Sequence, residues 1–172
     1  MLHENLENPT ILQALSRLYE QIDRRVKRLA EIHAPRLHCR RGCADCCVDD
    51  ISVNEAEALN IRHFYSDLLS KKKPHPEGAC AFLAGDNSCS IYDRRPYICR
   101  TQGLPLFWFE EKEGKTMALR DICPKNEKGI PIEQLHETEC WKIGPVELEL
   151  AKLQCMIRKG PMRRVKLRNL FH

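Results

Sequence analysis

The sequence predicts a mainly α-helical protein with one small β-hairpin, an α+β fold that also contains irregular cysteine-rich loops. Several stretches repeat apolar residues at spacings of three and four, which is typical of amphipathic helices. One apolar stretch is followed by a glycine-containing turn, which is typical of a hairpin. The chain of 172 residues also carries ten cysteines, and four of them fall within residues 39–47. Thiols at such close spacing indicate loops that are stapled by a metal ion.

The first predicted region, residues 1–36, is an amphipathic helix. Pro9 suits the first helical position and Asn8 suits the cap before it. Apolar residues follow at helical spacing over about six turns: Ile11, Leu15, Leu18, Ile22, Val26, Leu29 and Ile32. Pro35 ends the segment. A stripe of this kind packs against the rest of the chain or pairs with a second copy, so a homodimer is one predicted assembly.

The second predicted region, residues 37–125, carries most of the cysteines. Ser52 and Glu55 match a capping box at the start of a helix that continues to about Ser70. Turn-forming residues between Cys80 and Cys89 predict a tight reversal that these two cysteines flank.

A hairpin is predicted at the end of the same region, with strands over residues 104–109 and 115–119. The third region, residues 126–172, is predicted to contain a short helix over residues 132–140 and a second helix from Pro145 to about Lys159.

The sequence ends in a basic tail, and two interpretations of it remain open. A run of cations without an acid contacts nucleic acid or an acidic partner in some proteins, and the four cations of the tail are Arg163, Arg164, Lys166 and Arg168. The favoured interpretation is a frayed terminus, because the net charge of +4 is mild and few aromatic residues lie among the cations.

Cysteine spacing predicts the metal ligands. Spacings of two or three residues let one short loop present several sulfurs to one ion. Adjacent Cys46 and Cys47 do not easily form a disulfide, because neighbouring residues reach its geometry only with backbone distortion. The predicted ligands are Cys39, Cys43, Cys46, Cys47, Cys80, Cys89, Cys99 and Cys123. They suffice for two four-thiolate sites, or for one site together with structural or redox thiols. Zinc and iron–sulfur clusters both accept four thiolates, so Zn²⁺ and iron, including a [4Fe-4S] cluster, remain open.

Two arginines beside this series are predicted to bind the cofactor. Four thiolates around a divalent ion carry a net charge of about −2, and nearby donors stabilise it by hydrogen bonding to sulfur. Arg95 and Arg100 are the candidates. Cys140 and Cys155 lie outside the series and are predicted to be small buried apolar residues.

Cysteine usage and hydropathy predict a cytoplasmic protein. The N-terminal residues lack the basic start and apolar run of a signal peptide. No window approaches the roughly 18 apolar residues of a membrane span, so no membrane contact is expected. Cysteines in a reducing compartment favour metal or redox chemistry over a disulfide framework.

The stretch from Cys39 to Cys123 resembles the YkgJ-type cysteine-cluster family, described by its CxxCxxCC motif as a zinc- or iron-chelating domain. The matching pieces are the four cysteines of the first loop, the helix of Glu55, Cys80-Ala81-Phe82-Leu83, Cys89-Ser90-Ile91-Tyr92, and Arg95-Pro96-x2-Cys99-Arg100. The resemblance implies metal chelation and does not specify a reaction.

An enzymatic alternative comes from a related resemblance. The same type of domain is similar to the cysteine-rich part of flagellin lysine methylases. Cys39, Cys43 and Cys46 also satisfy the spacing of radical-SAM clusters, in which three thiolates leave one iron open. The absence of strand–helix alternation disfavours a radical-SAM barrel, and no phosphate loop, dinucleotide fingerprint or hydrolase motif is present. The predicted function is metal binding by a cysteine cluster, with an iron–sulfur enzyme or redox protein as the alternative.

Overall fold

The computed structural model of the protein describes residues 9–157, 160 and 162–171. These residues form helices and small sheets, which confirms the predicted α+β class. The chain divides into two compact units, and each is assembled from separate parts of the sequence. The first unit comprises the described residues up to Leu18, Arg40–Pro96 and the described residues from Glu149 onward. The second unit comprises Tyr19–Cys39 and Tyr97–Leu148.

Helix α1 spans Pro9–Ile32 and begins at the predicted proline. The predicted cap, Asn8, lies outside the described residues. One face of α1 is buried, and its apolar members are Ile11, Leu15, Tyr19, Ile22 and Leu29. Tyr19 occupies the buried position predicted for Leu18, and Ile32 is 45% exposed. The helix has 3.6 residues per turn, so a stripe of residues spaced strictly by three and four drifts around the helix axis. Over six turns the predicted stripe therefore rotates away from the buried face.

The first unit contains a two-stranded sheet and two short helices. Strand β1 (Ser52–Asn54) pairs antiparallel with β5 (Arg164–Lys166). Helix α2 spans Glu55–Phe64 and α3 spans Ser66–Lys71. The continuous helix predicted to Ser70 is therefore interrupted between α2 and α3.

The prediction of a helix cap at Ser52 is wrong. Asn54 caps α2, and its side-chain oxygen accepts a hydrogen bond from the backbone N–H of Glu57 at 3.0 Å. Pairing with β5 keeps residues 52–54 extended, which moves the helix start two residues along the chain. Asparagine caps a helix as well as serine does, so local preference permits either start.

The tail of the first unit is ordered, and the prediction of a frayed terminus is wrong. Leu167 and Leu170 are buried in an apolar cluster. The other buried members of that cluster are Val53, Ala58, Ile61, Leu69, Cys80, Phe82 and Ile91. The cations of the tail have partners within the unit, since Lys166 Nζ lies 2.8 Å from Asp50 Oδ1 and Arg164 Nε donates to Ser52 Oγ at 3.0 Å.

Arg168 connects the tail to the loop that precedes Cys80. Its Nε donates to Asp49 Oδ1 at 2.5 Å. The other guanidinium nitrogens donate to three backbone carbonyls, those of His75 at 2.7 Å, Ala79 at 2.9 Å and Pro76 at 3.3 Å. The hydrogen bond from Arg168 lowers the pKa of Asp49 below its ordinary value. A single side chain therefore satisfies three carbonyls of an irregular loop.

The second unit contains the predicted hairpin. Strand β2 (Leu106–Lys112) pairs antiparallel with β3 (Lys115–Asp121), and β4 (Trp141–Lys142) pairs parallel with β2. Glu113 and Gly114 form the turn with φ of 52° and 73°. Positive φ at both central residues matches the right-handed twist of hairpin strands, so β2 continues to residue 112, directly before the turn. Strand β2 begins two residues later than predicted, and β3 ends two residues later than predicted.

The helical segments of the third predicted region differ in length from the predictions. Residues 132–140 form two 3₁₀ turns, Ile132–Gln134 and Glu137–Glu139, instead of one helix. His136 separates the turns because its backbone is extended and its side chain caps the second turn.

Helix α4 spans Tyr97–Arg100. Helix α5 spans Pro145–Ile157 and begins at the predicted residue. Across the described residues, no helix has the length and apolar character needed to cross a bilayer.

Replacement of Arg168 by lysine is expected to destabilise the first unit. Lysine carries the same charge but lacks the planar fork that reaches several acceptors at once. Loss of the bonds to the loop carbonyls should lower the free energy of unfolding by about 1–3 kcal/mol. Chemical denaturation followed by circular dichroism measures this change. Arg163→Lys is the matched control, because Arg163 is exposed and lies 4.0 Å from Glu55. Equal stability of the two variants would contradict the role assigned to Arg168.

Candidate metal centre

The predicted ligands are divided between the two units. The first unit holds Cys43, Cys46, Cys47, Cys80 and Cys89, and the second holds Cys39, Cys99 and Cys123. All eight are free thiols.

Backbone turns and one cross-loop hydrogen bond position three cysteines of the first unit, Cys43, Cys47 and Cys80. The N–H of Cys43 donates to the carbonyl of Arg40 at 2.9 Å, and the N–H of Cys47 donates to that of Ala44 at 2.8 Å. Each turn brings the chain back after three residues. The N–H of Cys80 then donates to the carbonyl of Cys47 at 2.8 Å, which fixes two cysteine-bearing loops side by side.

Cys47, Cys80 and Cys89 belong to the same apolar cluster. Cys80 is one of its buried members, and the partly buried Cys47 and Cys89 pack against it. The predicted reversal between Cys80 and Cys89 is confirmed by the antiparallel bridge between Leu83 and Cys89. Three thiols from separate positions of the sequence thus pack on one apolar surface.

Burial favours the neutral form of these thiols. Desolvation raises the pKa of Cys80 above its ordinary value, and the neighbouring Cys89 raises it further. Desolvation also raises the pKa of Cys89, while the charge of Arg95 lowers it. A bound cation would reverse this balance, because metal binding to cysteine releases the thiol proton.

The second unit surrounds the sulfur of Cys39 with polar and close contacts. The side-chain amide of Asn126 donates to Cys39 Sγ at 3.5 Å and to the carbonyl of Gly103 at 2.9 Å. Its oxygen accepts from the N–H of His38 at 2.9 Å. Asn126 is fully buried, whereas Cys39 is exposed. The amide thus contacts the sulfur of an exposed residue from the interior of the unit.

Gly103 lets the chain approach Cys39 closely. A Cβ atom at this position would lie 2.3 Å from Cys39 Sγ, and its φ of +88° belongs to the region that glycine adopts readily.

Cys99 and Cys123 lie on the segments that these contacts join. Cys99 belongs to α4, which ends three residues before Gly103. Cys123 precedes a 3₁₀ turn, Pro124–Asn126, and its carbonyl accepts from the N–H of Asn126 at 2.7 Å. The contacts of Asn126 therefore reach the three segments that carry the predicted ligands of this unit.

The sulfurs do not converge on a single point. Within residues 9–157, 160 and 162–171, no three side chains of cysteine, histidine, aspartate or glutamate form a group suited to one metal ion. Neutral thiols do not attract one another, and it is the cation that draws ligands together. The assignment of the eight cysteines as ligands stays a prediction.

The two arginines that were predicted to bind the cofactor each lie over an aromatic ring. Arg95 lies over the ring of Tyr92 at 3.9 Å and is close enough for its charge to lower the pKa of Cys89. Arg100 is buried, contacts Asp23 at 2.6 Å and lies over the ring of Tyr19 at 3.9 Å. The surroundings of Arg95 suit a donor near sulfur. The predicted contact of both arginines with a cofactor stays a prediction.

The two remaining cysteines differ from each other. Cys140 is fully buried, as predicted, and packs with Phe107 and Leu135. The prediction that Cys155 is buried is wrong, because its side chain is exposed on α5. The neighbouring Leu153 and Gln154 face the interior, and the helical period turns the next residue outward.

Asn126 and Gly103 are neighbours of the Cys39 sulfur that the cysteine pattern did not predict. The available signals were weak: a glycine four residues after Cys99, and an asparagine three residues after Cys123. Either pattern is common in ordinary turns, so neither indicates contact with sulfur without the folded chain.

Comparison with known proteins gave one family. The sequence profile of the CxxCxxCC family, described as "Putative zinc- or iron-chelating domain", matches residues 38–124, about half of the chain. No curated protein and no solved structure matched significantly.

Thiol labelling should separate Cys155 from Cys140. Burial raises the pKa of Cys140 and excludes reagents, so its alkylation requires local opening of the unit. Cys155 should react at the rate of an exposed thiol, and Cys140 about 100-fold or more slowly. Pulsed iodoacetamide labelling with peptide mass spectrometry measures both rates in one sample. Similar rates in the folded protein would contradict the described burial.

Proposed function

Because the chain belongs to the CxxCxxCC family of zinc- or iron-chelating domains, we propose that it binds zinc or iron through cysteine thiolates. The proposed metal-binding region is residues 37–125, and the proposed ligands are the eight cysteines from Cys39 to Cys123. The observation that carries the proposal is the placement of Cys47, Cys80 and Cys89 on one apolar cluster.

The proposed site of the first unit uses Cys47, Cys80 and Cys89 with either Cys43 or Cys46 as the fourth ligand. Four thiolates complete a tetrahedral zinc or iron site. The hydrogen bond from Cys80 to the Cys47 carbonyl brings two of these residues together. Arg95 supplies positive charge near Cys89, which offsets part of the negative charge of four thiolates.

The donor set fits a soft or borderline metal. Thiolates select zinc, copper(I) and iron–sulfur clusters over magnesium and calcium. When bound, the ion would supply the attraction that holds the cysteine loops together, so its binding free energy would contribute to folding. Free thiols of this number are maintained in a reducing compartment, and we propose the cytoplasm.

A second candidate function is that of an iron–sulfur enzyme or redox protein. The observation that favours it is the number of predicted ligands in the second unit, since Cys39, Cys99 and Cys123 make three. Three thiolates on a four-iron cluster leave one iron for a small ligand. No observation on the described residues supports nucleic-acid binding through the tail or a homodimer through α1.

Metal analysis of protein purified without oxygen tests the proposal. We expect about one or two ions per chain, together with loss of the folded signal when a chelator removes them. Zinc without visible absorption would indicate closed thiolate sites. Iron with acid-labile sulfide and a band at roughly 400 nm would favour the second candidate.

Substitutions test which sulfurs hold the ion. Cys80→Ser and Cys89→Ser should each reduce the metal content by about one ion per chain, because a four-thiolate site loses a ligand. Cys155→Ser is the control, since Cys155 is exposed and lies outside the proposed set. Protein that is metal-free and fully folded, or equal metal loss in the control, would overturn the proposal.

A further inference from the structure

We infer that Asn126 is a positioning residue that holds the sulfur of Cys39 for metal binding. The inference rests on the proposed function and deepens it, because Asn126 belongs neither to the cysteine motif nor to the predicted ligands.

The contact between Asn126 and Cys39 has the chemistry of support for a thiolate. An amide N–H donates to Cys39 Sγ at 3.5 Å, within the range of hydrogen bonds to sulfur, whose radius exceeds that of oxygen. A donor to a ligating sulfur stabilises its negative charge and fixes its orientation. Neutral amide donors do this without competing for the metal.

The amide of Asn126 is itself fixed in one orientation. Its nitrogen also donates to the carbonyl of Gly103 at 2.9 Å, and its oxygen accepts from the N–H of His38 at 2.9 Å. The second contact involves the residue directly before Cys39. A flipped amide would place oxygen against the Gly103 carbonyl and the Cys39 sulfur, so the network assigns N–H to sulfur.

Packing restricts the sulfur from a second direction. Gly103 lies so close that a Cβ atom would be 2.3 Å from Cys39 Sγ. The bare Cα of Gly103 and the amide of Asn126 thus both lie against the sulfur, while the residue as a whole is exposed.

Asn126 also determines where Cys39 lies within its unit. The backbone N–H of Asn126 donates to the carbonyl of Cys123, and its side chain contacts the loop that follows Cys99. Loss of the amide would release Cys39 from both segments without removing any sulfur.

Zinc affinity of Asn126→Asp is the first test. Aspartate retains the oxygen that accepts from His38 but loses the donors to Cys39 and Gly103. We expect the affinity for Zn²⁺, measured by competition with a chromophoric chelator, to fall by about 10- to 100-fold.

Gln154→Glu is the matched control for a buried amide. Gln154 is 2% exposed, accepts from the N–H of Glu55 at 3.3 Å and donates to the carbonyl of Arg163 at 3.0 Å. Its side chain makes the same pattern of backbone hydrogen bonds as that of Asn126, and neither bond involves a cysteine. The control variant should retain wild-type zinc affinity.

Nuclear magnetic resonance of the wild-type fold tests the contact without altering Asn126. Cys39→Ser should shift the side-chain amide resonances of Asn126, whereas Cys155→Ser should leave them in place. This measurement remains decisive if Asn126→Asp does not fold.

The outcomes separate the inference from the proposed function. Wild-type zinc affinity in folded Asn126→Asp, or unmoved amide resonances in Cys39→Ser, would overturn the inference alone. An equal loss of affinity in Gln154→Glu would also overturn it, because the effect would then be general to buried amides. Failure of the wild-type protein to take up metal would overturn both.

Discussion

The multiple hydrogen bonds of Arg168 are the constraint on which the first unit depends. The segment before Cys80 has no regular secondary structure, so its carbonyls need partners from elsewhere. Arg168 supplies them for three residues and pairs with Asp49 close to Cys47. The same tail contributes β5 and two leucines of the apolar cluster. A stretch with the composition of a disordered terminus is therefore an integral part of the unit that carries five of the eight predicted ligands.

In each unit a polar side chain from a distant part of the sequence holds an irregular segment next to a cysteine. In the first unit a guanidinium binds backbone carbonyls, and in the second the amide of Asn126 binds a backbone N–H, a carbonyl and a sulfur. Such contacts orient the backbone of the cysteine-bearing segments whether the cysteine is buried, as Cys80 is, or exposed, as Cys39 is.

The sequence predicted the elements that local chemistry determines. The start of α1 at Pro9, the hairpin, and the reversal between Cys80 and Cys89 follow from proline, glycine and periodicity. The cap of α2 was misplaced because the strand pairing of residues 52–54 depends on a partner more than one hundred positions away. The contact of Asn126 with Cys39 was not predicted for the same reason, because no local sequence pattern indicates which distant atom a side-chain amide will contact. The cysteine series indicated the CxxCxxCC family, but no local pattern indicated which cysteines belong to which unit.

The pairing of β1 with β5 has a consequence for the order of events during synthesis. Ser52 lies opposite Lys166, so the ribosome must release nearly the whole described chain before this sheet can close. Until then the apolar cluster lacks Leu167 and Leu170, and closing so long a loop slows folding. Part of the apolar cluster on which Cys47, Cys80 and Cys89 pack is therefore missing until Leu167 and Leu170 have left the ribosome.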